Sequence, residues 1–94
     1  MARVGIVTGA ASGIGRALAT ALIERGDAVV LVDVNADGAK QVAAGLGSRA
    51  SAVGLDVRDA DAVTQLVDDV VGEHGRLDLM LTTRESASVG RSTS

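Results

Sequence analysis

Thr8-Gly9-Ala10-Ala11-Ser12-Gly13-Ile14-Gly15 lies between a β-branched run and a helical repeat, and that position decides the fold. Upstream, Arg3 to Thr8 carries Val4, Ile6 and Val7 and then meets Gly9, which reads as a short strand ended by glycine. Downstream, Ile14, Ala17, Leu18, Ala21 and Leu22 recur at the spacing of one helix face, with Ser12 as N-cap and Gly26 as stop. Each glycine at such a junction has a physical use. Gly9 permits a tight turn out of the strand, Gly13 lets an anion reach the backbone with no Cβ in the way, and Gly15 lets the helix pack close to the sheet. The helix start then presents unpaired N–H groups and a positive dipole end to that anion. Three glycines alone could be an ordinary turn; it is their place between strand and helix that favours phosphate. Arg16-Ala17 follows Gly15, so the Lys-Ser/Thr pair of an ATP-hydrolysing phosphate loop is absent.

The alternation continues outward from this loop. Ala28 to Val34 is almost continuously apolar up to Asp33, as in a central parallel strand covered on both faces. Asn35 and Asp37 open a second helix with Ala39, Val42, Ala43 and Leu46 on one face. Ala50 to Leu55 reads as a weaker third strand. Asp56, Arg58 and Asp59 lead into a third helix whose inward face is Val63, Leu66, Val67, Val70 and Val71. Leu77 to Leu81 reads as a fourth strand. Strands alternating with helices predict a parallel α/β sheet of four strands in the order 3-2-1-4, with right-handed crossovers and helices on both faces. Residues 1–81 form this domain. Residues 82–94 have no periodicity, are rich in Ser and Thr, and are expected to be a disordered tail.

Composition sets the outer limits. The 94 residues are 47% hydrophobic and 22% charged with a net charge of −3, which suits a globular domain and argues against nucleic acid as a partner. The longest apolar run, Ala28 to Val32, is far shorter than the roughly 20 residues of a membrane span, and no secretion signal is visible. A cytoplasmic location is therefore expected. There is no Cys and no Tyr, so disulfides, thiolate metal sites and two kinds of catalytic side chain are excluded from this stretch. Asp68, Asp69 and Glu73 read as the solvated side of the third helix, and His74 as a complement to its C-terminal dipole, so no metal site is expected.

Asp33 ends the second strand about 20 residues beyond the glycines, where an acidic side chain in a dinucleotide fold accepts from the ribose hydroxyls. Its charge would repel a 2′-phosphate, and no basic residue stands at Ala10 to Ser12 or at Val34, so NAD is expected over NADP.

With these residues in place, the sequence resembles the short-chain dehydrogenase/reductase family. The family's Thr-Gly-x-x-x-Gly-Ile-Gly is matched in full by Thr8 to Gly15, its acidic residue after the second strand by Asp33, and its Asp-Val pair by Asp56-Val57. Gly75-Arg76-Leu77-Asp78-Leu79 resembles the family's lead-in to the fourth strand. The resemblance implies a Rossmann-type half binding a nicotinamide dinucleotide through Gly9, Ser12, Gly13, Ile14, Gly15 and Asp33, with Asp56 and Val57 at the adenine. It also implies an oxidoreductase whose Tyr-x-x-x-Lys pair lies later in the chain. This sequence has no Tyr, and its one lysine, Lys40, falls on the second helix, so no catalytic residue is assigned and no turnover is expected from the 94 residues alone. A stand-alone module that binds NAD or ADP-ribose without chemistry is the alternative.

Thr82-Thr83-Arg84-Glu85 stands where the family has Asn-Asn-Ala-Gly. Codons AAC AAC GCG GGA ATC GGC encode Asn-Asn-Ala-Gly-Ile-Gly. Read one base later, they give Thr-Thr-Arg-Glu-Ser-Ala, which is the sequence from Thr82 to Ala87. A one-base shift near codon 82 is therefore expected to account for the tail.

Overall fold

The computed structural model describes residues 3–82. The expected tail lies outside the described residues, apart from Thr82, which continues the last strand. The elements follow in strict alternation: β1 (Val4–Thr8), α1 (Gly13–Glu24), β2 (Ala28–Asp33), α2 (Ala36–Leu46), β3 (Ala50–Gly54), α3 (Ala60–His74) and β4 (Leu79–Thr82). The four strands form one parallel sheet in the order β3-β2-β1-β4, the predicted order. Each helix opens on a side-chain cap: Ser12, Asn35 and Asp59 accept from the N–H groups of Gly15, Gly38 and Ala62.

β1 and β2 lie in the middle of the sheet, and their side chains fill two cores, one on each face. Val7, Val29 and Leu31 pack with Ala19 and Leu22 of α1 and Ala39 and Ala43 of α2. Val4, Ile6, Val30 and Val32 pack on the other side with Leu66 and Val70 of α3. Two helices thus cover one face and a single helix the other. That asymmetry corrects part of the expected α3 face: Val71 is exposed, and among the described residues no second helix stands beside α3 to cover it.

α1 is also rotated from its expected setting. Its buried stripe is Gly15, Ala19 and Leu22, with Leu18 half-buried, whereas Ile14, Ala17 and Ala21 face outward. The cause is Gly15. A Cβ there would overlap the Gly9 carbonyl oxygen and lie 2.8 Å from the Ala10 Cα, so the helix turns its smallest residue into the loop and carries Ile14 away from the core.

β4 begins at Leu79, later than the expected Leu77. The reason is a side chain: Val4 N–H donates to Asp78 Oδ2 at 2.7 Å, while Asp78 N–H donates to the Val4 carbonyl at 2.8 Å. The carboxylate takes the donor that a strand carbonyl would take, and regular pairing starts one residue later, with Gly5 opposite Leu79. Among the described residues no helix is long and apolar enough to cross a membrane.

Candidate functional site

The carboxyl ends of β1, β2 and β3 meet at one edge of the sheet, and all the candidate residues lie there. The chain leaves β1 through Gly9, whose φ of 67° is in the left-handed region that only glycine enters at low cost. Ser12 N–H donates to the Gly9 carbonyl at 3.0 Å, closing a tight turn. The Ser12 hydroxyl does two things at once: it donates to the Gly9 carbonyl at 2.7 Å and accepts from Gly15 N–H at 3.1 Å. With its proton committed, it retains acceptor capacity only, which suits a hydroxyl donor on a ligand better than a phosphate oxygen.

The three glycines separate by role. Gly9 is there for its backbone angle and Gly15 for the close approach of α1. Gly13 has neither reason: its φ is not in the left-handed region, and a Cβ built on it meets nothing within 4 Å. The protein's own packing leaves room for a side chain at this position. The N–H groups of Gly13 and Ile14 have no partner among the described residues, as expected of the orphan donors in a first helical turn. Open space over two unpaired donors at a positive helix end has the chemistry to receive an anion.

Asp33, at the end of β2, is tied to this loop. Its Oδ2 accepts from Ala11 N–H at 3.0 Å and its Oδ1 from Asn35 N–H at 2.9 Å. The residue is half-buried. β3 ends beside it, with Asp33 opposite Gly54 in register and Leu55 N–H donating to the Asp33 carbonyl at 3.2 Å. Asp56 and Val57 follow at once. Among the described residues no hydrogen bond joins either of them to the glycine loop; they occupy the same edge, one strand further out. The Asp56 carboxylate is gripped by the Arg58 guanidinium, with Nη2 at 2.8 Å from Oδ2, and by Arg58 N–H at 2.9 Å. Hydrogen bonds from the Arg58 side chain and then its backbone lower the Asp56 pKa to about 2.

Ile14, Val34 and Val57 stand at the ends of these elements, exposed by 59%, 69% and 43%, the largest apolar side chains at this edge left to solvent. Three such side chains around a polar loop can flank a planar, partly apolar group such as a purine. Val34 is the member the sequence did not single out; its only signal was an apolar residue directly after the acid that closes β2. The acids of α3, Asp68, Asp69 and Glu73, are exposed; Asp69 accepts from Gln65 at 3.0 Å, and Asp69 and Glu73 line a groove with Val30, Ser51 and Val53.

A parallel sheet with a glycine turn after β1, orphan N–H groups at the first helix and an acid closing β2 defines the dinucleotide-binding class of α/β folds. The comparisons with known proteins narrow the class. The sequence model described as short chain dehydrogenase matches residues 3–91, and the chain belongs to that family. It is 52% identical over 82 residues to a cis-4-hydroxycyclohexanecarboxylate dehydrogenase of Sinomonas cyclohexanicum, a match covering 84% of this chain and 32% of the relative. It is 44% identical over 92 residues to a D-threitol dehydrogenase of Mycolicibacterium smegmatis, covering 95% of this chain and 34% of the relative. The crystal structure of a 3-ketoacyl-(acyl-carrier-protein) reductase from Brucella melitensis, complexed with NADH, superposes with a TM-score of 0.78 at 33% identity, over 83% of this chain and 32% of that one. The chain spans about a third of the length of these relatives. The family is one of oxidoreductases that bind nicotinamide dinucleotides.

Proposed function

We propose that this chain is the cofactor-binding part of an NAD-dependent short-chain dehydrogenase, holding the adenosine and pyrophosphate half of the dinucleotide. Gly13 carries the reading. Neither packing nor backbone angle calls for glycine there, whereas a pyrophosphate lying against the Gly13 and Ile14 N–H groups does. In this reading Gly9 and Gly15 shape the loop, and the Ser12 hydroxyl accepts from the ligand while capping α1. Asp33 accepts from the ribose hydroxyls. Ile14 and Val57 flank the adenine, with the Asp56 carboxylate as an acceptor for its amino group. The bound nicotinamide would supply hydride chemistry; the residues described here bind and orient its adenosine end.

The Asp33 charge beside the ribose supports NAD over NADP, because a 2′-phosphate would face a carboxylate already fixed by two N–H donors. Calorimetric titration with both cofactors tests this. NAD should bind more tightly, and Asp33→Ala should narrow the gap; tighter binding of NADP to the unmutated chain overturns the preference. No dehydrogenase turnover is expected from these 94 residues, which contain no Tyr and place Lys40 on α2. A cytoplasmic location belongs to the same reading.

Residues 82–94 separate two versions of the function. A one-base frame shift near codon 82 makes the chain the intact beginning of a longer oxidoreductase gene. The other version is a stand-alone nucleotide-binding module; the family match running on to residue 91 weighs against a frame shift. Resequencing the locus decides between them. The shifted frame must yield Asn-Asn-Ala-Gly and a later Tyr-x-x-x-Lys, and their absence removes the frame shift.

A further inference from the structure

We propose that Asp33 is a positioning residue for the glycine loop: its carboxylate fastens the loop to the end of β2 before any nucleotide arrives. The consequence for binding rests on the nucleotide reading above; the fastening itself does not. The main-chain pairing between the loop and β2 ends with Ala10 N–H donating to the Val32 carbonyl at 3.1 Å. One residue on, the backbones have diverged, and the Asp33 side chain continues the ladder by taking Ala11 N–H at 3.0 Å on Oδ2. Its other oxygen holds Asn35 N–H at 2.9 Å, just ahead of α2, and its carbonyl takes Leu55 N–H at 3.2 Å from the strand beyond. One residue thus joins the glycine loop, the start of α2 and the end of β3. The carboxylate cannot swing away without releasing two backbone donors.

A carboxylate has about four acceptor sites, of which two are used here, so the same side chain can hold the loop and still receive a ribose diol. The two tasks are coupled. Ala11 lies two residues before Gly13, and the turn through Gly9 and Ser12 sets where the Gly13 and Ile14 N–H groups point. Loss of the carboxylate therefore acts on the pyrophosphate end of the ligand as well as on the ribose.

Two neutral variants separate fastening from ribose binding and from charge. Asp33→Asn retains an oxygen that can accept Ala11 N–H; Asp33→Ala retains none. In the nucleotide-free full chain, exchange of the Ala11 amide should speed up about tenfold in Asp33→Ala and less in Asp33→Asn, while Leu22 and Val29 amides keep their protection. The binding probe is 2′,3′-dideoxy-ADP, whose ribose has no diol to offer. It should bind about fivefold more tightly to Asp33→Asn than to Asp33→Ala. Equal binding, or an Ala11 amide indifferent to both variants, overturns the proposal. If Asp33→Ala does not fold, the unmutated chain still decides, because a scalar coupling between the Ala11 amide nitrogen and the Asp33 carboxylate carbon must then be present, and its absence overturns the fastening. If the unmutated chain binds neither ADP nor NAD, the nucleotide reading fails while the exchange measurement still judges the fastening.

Discussion

The two ends of this sheet are built from similar residues to opposite purposes. At the amino ends of the strands, polar groups are closed upon one another. The buried Asp27 faces Arg25 at 2.9 Å and Arg3 at 3.7 Å, and Asp78 takes Val4 N–H while the Arg76 guanidinium clamps it at 2.7 Å. At the carboxyl ends, the Gly13 and Ile14 donors are left open and Ile14, Val34 and Val57 are turned to solvent. Acids at the first end join one part of the chain to another. At the second end Asp33 does so too, but with about two of its roughly four acceptor sites used. Stability and function divide along that line: an edge whose charged groups are paired holds the fold, and an edge that leaves donors unpaired is available to a ligand.

The largest separation of stability from binding lies within the glycine loop itself. Gly15→Ala should cost roughly 3 kcal/mol or more, since the new Cβ overlaps backbone atoms of Gly9 and Ala10 that have no room to yield. Gly13→Ala should leave stability unchanged or raise it by up to about 1 kcal/mol, because Ala suits a first helical turn better than Gly. The same variant should weaken NAD binding at least about tenfold by blocking the pyrophosphate. Urea denaturation and calorimetry on the pair provide the check. A Gly13→Ala protein that binds NAD normally would remove the phosphate cradle.

The opposite end should respond in the opposite way. Asp27→Asn removes the charge that two arginines face, both of them about half exposed, and should cost about 1–2 kcal/mol. Nucleotide affinity should not change, as Asp27 precedes β2 and Asp33 closes it. Denaturation with and without NAD measures both quantities, and a loss of affinity that exceeds the loss of stability would show that the two ends are coupled.

How far the sequence revealed each end follows from the range of the contacts. Strand order, the Ser12 cap and the place of the glycines were legible, with Asn35 and Asp59 among the residues read at the openings of α2 and α3, since all rest on spacings of a few residues or on the alternation of strand and helix. The amino-end contact that joins β1 to β4 was not. Val4 and Asp78 lie 74 residues apart, and a pair at that distance leaves no periodic trace. The hold of Asp33 on Ala11 was hidden for another reason: the donor is a backbone N–H, which every residue but proline possesses. The rotation of α1 was obscured because Ile14, Ala17 and Ala21 fit a helical stripe as well as Gly15, Ala19 and Leu22 do. Only the contact of Gly15 with the loop chooses between the two stripes.

The smallest expected effect lies on the rim of the open end, at Asp56. Arg58 holds its carboxylate with side chain and backbone, and its pKa falls from 3.8 to about 2. At the closed end Asp78 is lowered too, first by Arg76 and then by Val4 N–H. For both acids the folded value lies below the unfolded one. Their contribution to stability is therefore present above the ordinary carboxylate value and is lost as the pH falls through the folded value. For Asp56 that window runs from about pH 4 down to about pH 2. The pair is exposed, so salt should shrink the effect. Carboxyl-carbon shifts followed through an acid titration should give Asp56 a midpoint near 2, and Arg58→Ala should carry it most of the way back towards 3.8. Arg76→Ala should restore Asp78 less completely, because the Val4 N–H and the Arg3 charge both remain when the arginine is gone, whereas Asp56 keeps only the N–H of residue 58. If both acids relax equally, the Val4 donor and the Arg3 charge contribute nothing beyond what the N–H of residue 58 gives Asp56. The contrast between an acid that joins two strands and one that turns back on its own loop would then fail at this pair.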